Sequence, residues 1–165
     1  MFVREELRLP AEFAATRDRL SAVAHSGALL TAAQGASNES GAGEASTGLT
    51  RVGPLGPVPG LSRVVEVEFG ELVEHDDSVQ LALRWDVAGP GGGLFPALDA
   101  DITLARAGGL ATTLTLTGVY RPPLGSVGAG LDQAILHRVA VATIRDFLSR
   151  IGTAISSSEA PAGPR

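Results

Sequence analysis

A chain of 165 residues, 44% apolar and 19% charged, has the composition of a globular domain with a core large enough to need no staples. It has no cysteine, and all thirteen of its basic residues are arginine, which excludes disulfides, thiolate chemistry, a Schiff-base lysine and the lysine of a phosphate-binding loop. A net charge of −5, scattered arginines, and only one Trp, one Tyr and five Phe argue against nucleic acid as a partner.

The first residues, MFVREELRLP, carry charges and lack the apolar run of a signal peptide. No stretch approaches about 18 uncharged apolar residues, the length of a membrane span. A cytoplasmic protein without a membrane span is expected. Residues 2–9 alternate: Val3, Leu7 and Leu9 fall on one side, Arg4, Glu6 and Arg8 on the other. That is the pattern of a half-buried strand, with Glu5 interrupting its apolar side. Pro10 ends the strand and suits a helix entrance. Phe13, Leu20 and Val23 then recur at helical spacing, and residues 27–34 suit a second short helix turned back at Gly27. Residues 35–62 are rich in Gly, Ser, Ala and Pro. A mobile segment is expected at 35–47 and a short irregular strand around 48–53.

Four strand patterns follow, over 63–69, 79–87, 98–106 and 111–120. The clearest puts Val79, Leu81, Leu83, Trp85 and Val87 on one face, against Gln80, Ala82, Arg84 and Asp86. In the first, Val65, Val67 and Phe69 share the apolar phase. The connections HDDS, GPGGG and AGG are too short for parallel crossovers, so the four form an antiparallel meander. The last pattern, 131–151, is helical, with Ile135, Val139, Ile144, Leu148 and Ile151 on a broad apolar surface. Arg138, Arg145, Asp146, Ser149 and Arg150 form its polar side. Twenty-one residues span roughly 30 Å, so this helix must lie across a sheet of matching size. A single domain over 1–152 and a disordered tail over 153–165 are expected.

The order of strand, short helices, meander and long C-terminal helix resembles the START-like, or SRPBCC, superfamily. The likeness covers about residues 2–152. The stretches LRWDVAGPGGGLFPALDADITL (83–104) and GVYRPPLGSVGAGLDQAILHRVAVATIRDFL (118–148) look like an actinobacterial SRPBCC group. The resemblance implies an α+β helix-grip fold, in which a curved antiparallel sheet wraps around the C-terminal helix. It also implies a cavity between them for lipids, polyketides or other apolar molecules.

Most of the other motifs argue for structure rather than chemistry. Gly125, Gly128 and Gly130 read G-x-x-G-x-G, the reverse of a dinucleotide fingerprint, and no strand follows. Gly89-Pro-Gly-Gly-Gly93 lacks the Lys-Ser/Thr of a phosphate loop and suits a turn or a cavity rim. His25, His75 and His137 share no metal-ligand spacing. Asp99 and Asp101 share one face of a strand, but it is the face opposite Leu98, Ala100 and Ile102, so they should meet water. Glu5 is an acid in the apolar phase, which is costly unless paired, for instance with Arg121 or Arg63.

The cavity wall is therefore expected to include Glu5, Phe69, Leu83, Trp85, Phe95, Tyr120, Arg121 and His137, with no metal and no cofactor. The first functional expectation is binding of a small hydrophobic molecule without catalysis. The alternatives are a cyclase- or aromatase-like enzyme moving protons with Glu5, His137, Arg121 or Tyr120, and a ligand-free interaction module. The oligomeric state is not readable from the chain.

Overall fold

Period-2 alternation becomes six strands and 3.6-residue periodicity three helices in the computed structural model of the chain. The structure describes residues 1–34, 47–52, 63–86, 97–121 and 133–157. In chain order the elements are β1 (Phe2–Leu9), α1 (Phe13–His25), α2 (Ala28–Gln34), β2 (Thr47–Val52), β3 (Arg63–Glu74), β4 (Ser78–Asp86), β5 (Ala97–Arg106), β6 (Thr112–Arg121) and α3 (Gln133–Ser157). They form an α+β helix-grip fold. The sheet runs β1-β6-β5-β4-β3-β2, with every neighbouring pair antiparallel.

The meander β3–β6 follows chain order, as the short connections require. At the β5–β6 turn, Gly108 and Gly109 take φ of +81° and +56°, which side-chain-bearing residues rarely adopt. β1 closes the far edge by pairing with β6, and the Met1 ammonium donates to the Tyr120 carbonyl at 2.6 Å. β3 runs five residues past the expected end at Phe69. Register slips between Phe69 and Leu72, which face Leu83 and Leu81, so one extra residue is accommodated in a bulge. The bulge shifts the apolar phase from odd to even positions, so the alternation breaks where the strand itself continues.

One face of the sheet is polar. Glu66, Glu68, Arg84, Asp99 and Asp101 are exposed on it, as expected for the two aspartates. The other face is arranged in rows set by register. Val67, Trp85, Leu98 and Tyr120 form one row; Phe69, Leu83, Ala100, Gly118 and Val3 form the next. Then come Leu72, Leu81, Ile102, Leu116 and Glu5. Nearly all of these side chains are buried.

Three helices share the inner face, where the sequence had suggested α3 as the only large cover. α3 packs on β1 and β6, α1 on β5 and α3, and α2 on β2 and α3. α1 buries Phe13, Leu20 and Val23, and also Thr16, whose hydroxyl donates to the Glu12 carbonyl at 2.7 Å. α2 turns back at Gly27 (φ 71°) and buries Leu29 and Ala33. α3 buries Ala140, Thr143, Ile144, Phe147, Leu148, Ile151 and Ile155. It extends six residues beyond the expected 151, so residues 153–157, assigned to a tail by the sequence, belong to the helix. Ile155 continues the apolar stripe of Ile144, Leu148 and Ile151 one turn further. Gly152 sits mid-helix because a Cβ there would run into the Leu7 side chain, so its absence lets α3 approach β1 closely. Of the segment expected to be mobile (35–47), Thr47 begins β2 and residues 35–46 lie outside the described residues, as do the GPGGG stretch, residues 122–132 and the end of the chain (158–165).

Candidate functional site

Trp85 stands near the end of β4, in the apolar phase, and its indole is fully buried. Antiparallel register puts Leu98 beside it and Tyr120 one strand further on. The Trp85 and Tyr120 rings meet edge-on, with centroids 6.5 Å apart and planes at 84°. Phe147 comes down from α3 onto the same indole at 5.1 Å and 69°. Edge-to-face geometry places the positive rim of one ring against the negative face of another. The three aromatics thus join the sheet to the gripping helix. Phe147 was absent from the sequence reading of α3. Its signal was available in its spacing, three residues after Ile144 and four before Ile151.

Two of these rings carry a polar group. The Trp85 Nε1 is buried and has no hydrogen-bond partner among the described residues. The Tyr120 side chain is buried as well, and burial alone pushes its phenol up to about 12. The neutral, hydrogen-bond-donating form is therefore the one present across the physiological range.

Glu5 lies two rows away. Its carboxylate accepts from Arg145 of α3, Nε to Oε2 at 3.0 Å and Nη2 to Oε1 at 3.3 Å. The carboxylate side chain is 14% exposed and the arginine 67%. A forked guanidinium thus reaches in from water to an acid that the sheet has half-removed from it. The partner is neither Arg121 nor Arg63. Arg145 lies on the helix face that the sequence assigned wholly to solvent.

The remaining expected wall residues separate into three groups. Phe69 and Leu83 are buried side by side in the row next to Trp85. Arg121 and His137 are exposed. Arg121 follows inward-facing Tyr120 by one residue, so strand alternation turns it outward. His137 shares the phase of Ala140 and Ile144 but lies about 10 Å before Ile144 along the helix axis. Phe95 lies outside the described residues. The structure thus brings together Phe69, Leu83, Trp85 and Tyr120, adds Phe147, and keeps Arg121 and His137 apart from them. Among the described residues, no group of His, Asp or Glu has the arrangement of a metal site.

An open groove of about 400 Å³ lies elsewhere, between α2 and α3, lined by Thr31, Ala32, Asp146, Ser149, Arg150 and Thr153. Arg150 forms an ion pair with Asp146 at 3.2 Å, donates to the Ala33 carbonyl and stacks on Phe147 with its guanidinium carbon 5.7 Å from the ring centroid. Burial draws its guanidinium below the usual value, against the pull of Asp146. Sequence periodicity put both residues on the polar side of the helix; Arg150 is also reached by α2. Its bond to Ala33 ties α2 to α3, which accounts for its position structurally.

No family model matches the chain, and no curated protein matches it. Solved structures do. The chain is similar to a conserved protein from Geobacillus kaustophilus, with a TM-score of 0.60 and 18% identity over 96% of this chain and 97% of that one. It is similar to a protein from Thermus thermophilus (0.51, 15%, covering 96% and 100%). It is also similar to a truncated norcoclaurine synthase from Thalictrum flavum (0.52, 14%, covering 96% and 95%). At such identities the likeness is one of fold. No helix of the described residues is long and apolar enough to cross a membrane.

Proposed function

We propose that the chain is a START-like protein that binds a small hydrophobic molecule, lipid- or polyketide-like, between the sheet and α3, without catalysis. One observation carries this reading. The inner face is apolar in every row apart from Glu5, and Trp85, Tyr120 and Phe147 gather large, rigid aromatic surface where sheet meets helix. The polar groups near it favour binding over proton transfer. An acid–base pair needs two groups within hydrogen-bond reach of one substrate atom, at least one with a pKa near neutrality. Here the Glu5 carboxylate is engaged by Arg145, the Tyr120 phenol is pushed up to about 12, and His137 is exposed.

Native mass spectrometry of freshly purified protein tests the reading. Retained apolar adducts are expected, removed by organic extraction and restored by adding the extract back. A uniform bare mass, together with no thermal shift on adding the cell's lipid extract, would count against it.

A further inference from the structure

We infer that the Trp85 indole N–H is the specificity contact of the binding site proposed between the sheet and α3, and that it selects an apolar ligand carrying an oxygen acceptor, such as a ketone carbonyl. This rests on the binding function proposed above and narrows its ligand class. The indole is fully buried, and its Nε1 has no acceptor among the described residues. An orphaned buried donor costs about as much as a lost hydrogen bond, and native proteins seldom leave one. Among the described residues, its register and ring partners are Val67, Leu98, Phe147 and Tyr120, and of these only the phenol has a side-chain oxygen. The Tyr120 ring meets the indole edge-on with centroids 6.5 Å apart. A donor amid hydrocarbon recognises an acceptor better than a donor, and a neutral acceptor better than an anion, because the row holds no cation to pair a carboxylate. A competing partner for the N–H is the Phe147 ring face, a weaker contact than a carbonyl oxygen would supply.

Trp85 is the sole tryptophan, so one indole cross-peak in a proton–nitrogen NMR spectrum reports on this group alone. The probes are hexanophenone and hexylbenzene, alike in shape but for the carbonyl. Both are expected to bind. The indole proton should move downfield with hexanophenone and not with hexylbenzene. In Trp85→Phe the preference for the ketone should fall by about fivefold, the worth of one neutral hydrogen bond. The wild-type shift is decisive even if that variant does not fold. If both probes bind while the indole proton stays put and the ratio is unchanged, the acceptor is overturned and the binding function stands. If neither binds and the purified protein has a bare mass, both fall. An indole proton already downfield in the free protein, exchanging magnetisation with water and unmoved by either probe, assigns the N–H to a buried water and overturns the inference. One held upfield by the Phe147 ring and equally unmoved does the same.

Discussion

Tyr120 is the chain's one tyrosine, so its ionisation can be followed by absorbance without interference. Burial raises its phenol from the usual 10 to about 12. The neutral form is favoured by folding, so this contribution to stability is complete below pH 10 and is lost as pH rises towards 12. A native-state absorbance midpoint near 12 is expected, with stability declining over that interval. A midpoint near 10 while the circular dichroism remains native would mean that the ring is solvated. Glu5 and Arg145 behave differently, because the arginine is largely exposed and its attraction is screened. Glu5→Gln should cost under about 1 kcal/mol in urea unfolding. Arg145→Met should cost more, about 1–3 kcal/mol, because it strands a carboxylate that the sheet has already half-removed from water. Equal losses for the two would show that Glu5 is adequately hydrated.

Two close contacts between elements are open to test, one between sheet and helix and one within the sheet. Phe147 is the ring through which α3 touches Trp85 on β4. Phe147→Ala should cost about 3–5 kcal/mol and move Trp85 fluorescence, while Phe147→Leu should cost distinctly less. A small loss for the alanine variant would mean that the interior closes over the gap. The second contact is between β5 and β6. A Cβ at Gly118 would collide with the Ala100 side chain and the Asp99 carbonyl. A backbone atom cannot step aside as a side-chain tip can, so Gly118→Ala should cost about 1–3 kcal/mol. By contrast, Gly152→Ala meets the end of the Leu7 side chain, which can rotate, and its cost should be the smaller of the two. Denaturant midpoints of the two variants, compared with the wild type, decide the order.

For the molecule as a whole, the three helices lie against one apolar sheet face, and Arg150 of α3 bonds to Ala33 of α2. Anything that binds only the folded state between these layers must stabilise all of them. An apolar ligand at a hundred times its dissociation constant should add about 2.7 kcal/mol, read as a concentration-dependent rise in melting temperature. Unfolding followed by Trp85 fluorescence and by far-ultraviolet circular dichroism should rise together. A shift in fluorescence alone would indicate a surface site.

Local pattern alone determined the strands, the short helices, the long helix and the antiparallel meander. Each follows from a period of 2 or 3.6, or from a connection too short to cross over. It also placed Phe69, Leu83, Trp85 and Tyr120 inward, because strand alternation fixes the face of every residue in phase. It failed at the bulge after Phe69, where one inserted residue reverses that phase. It failed again at Gly152, which resembles an ending but is a point of close approach between helix and strand. Only tertiary structure could pair β1 with β6, give Glu5 its partner on α3, bring Arg150 to the Ala33 carbonyl of α2, and leave His137 in water. Each of those depends on which element, distant in sequence, comes to lie opposite, and neither periodicity nor composition carries that information. The unpartnered indole of Trp85 belongs with them: the sequence turned it inward, but the neighbours that leave its N–H without an acceptor are gathered from β3, β5, β6 and α3.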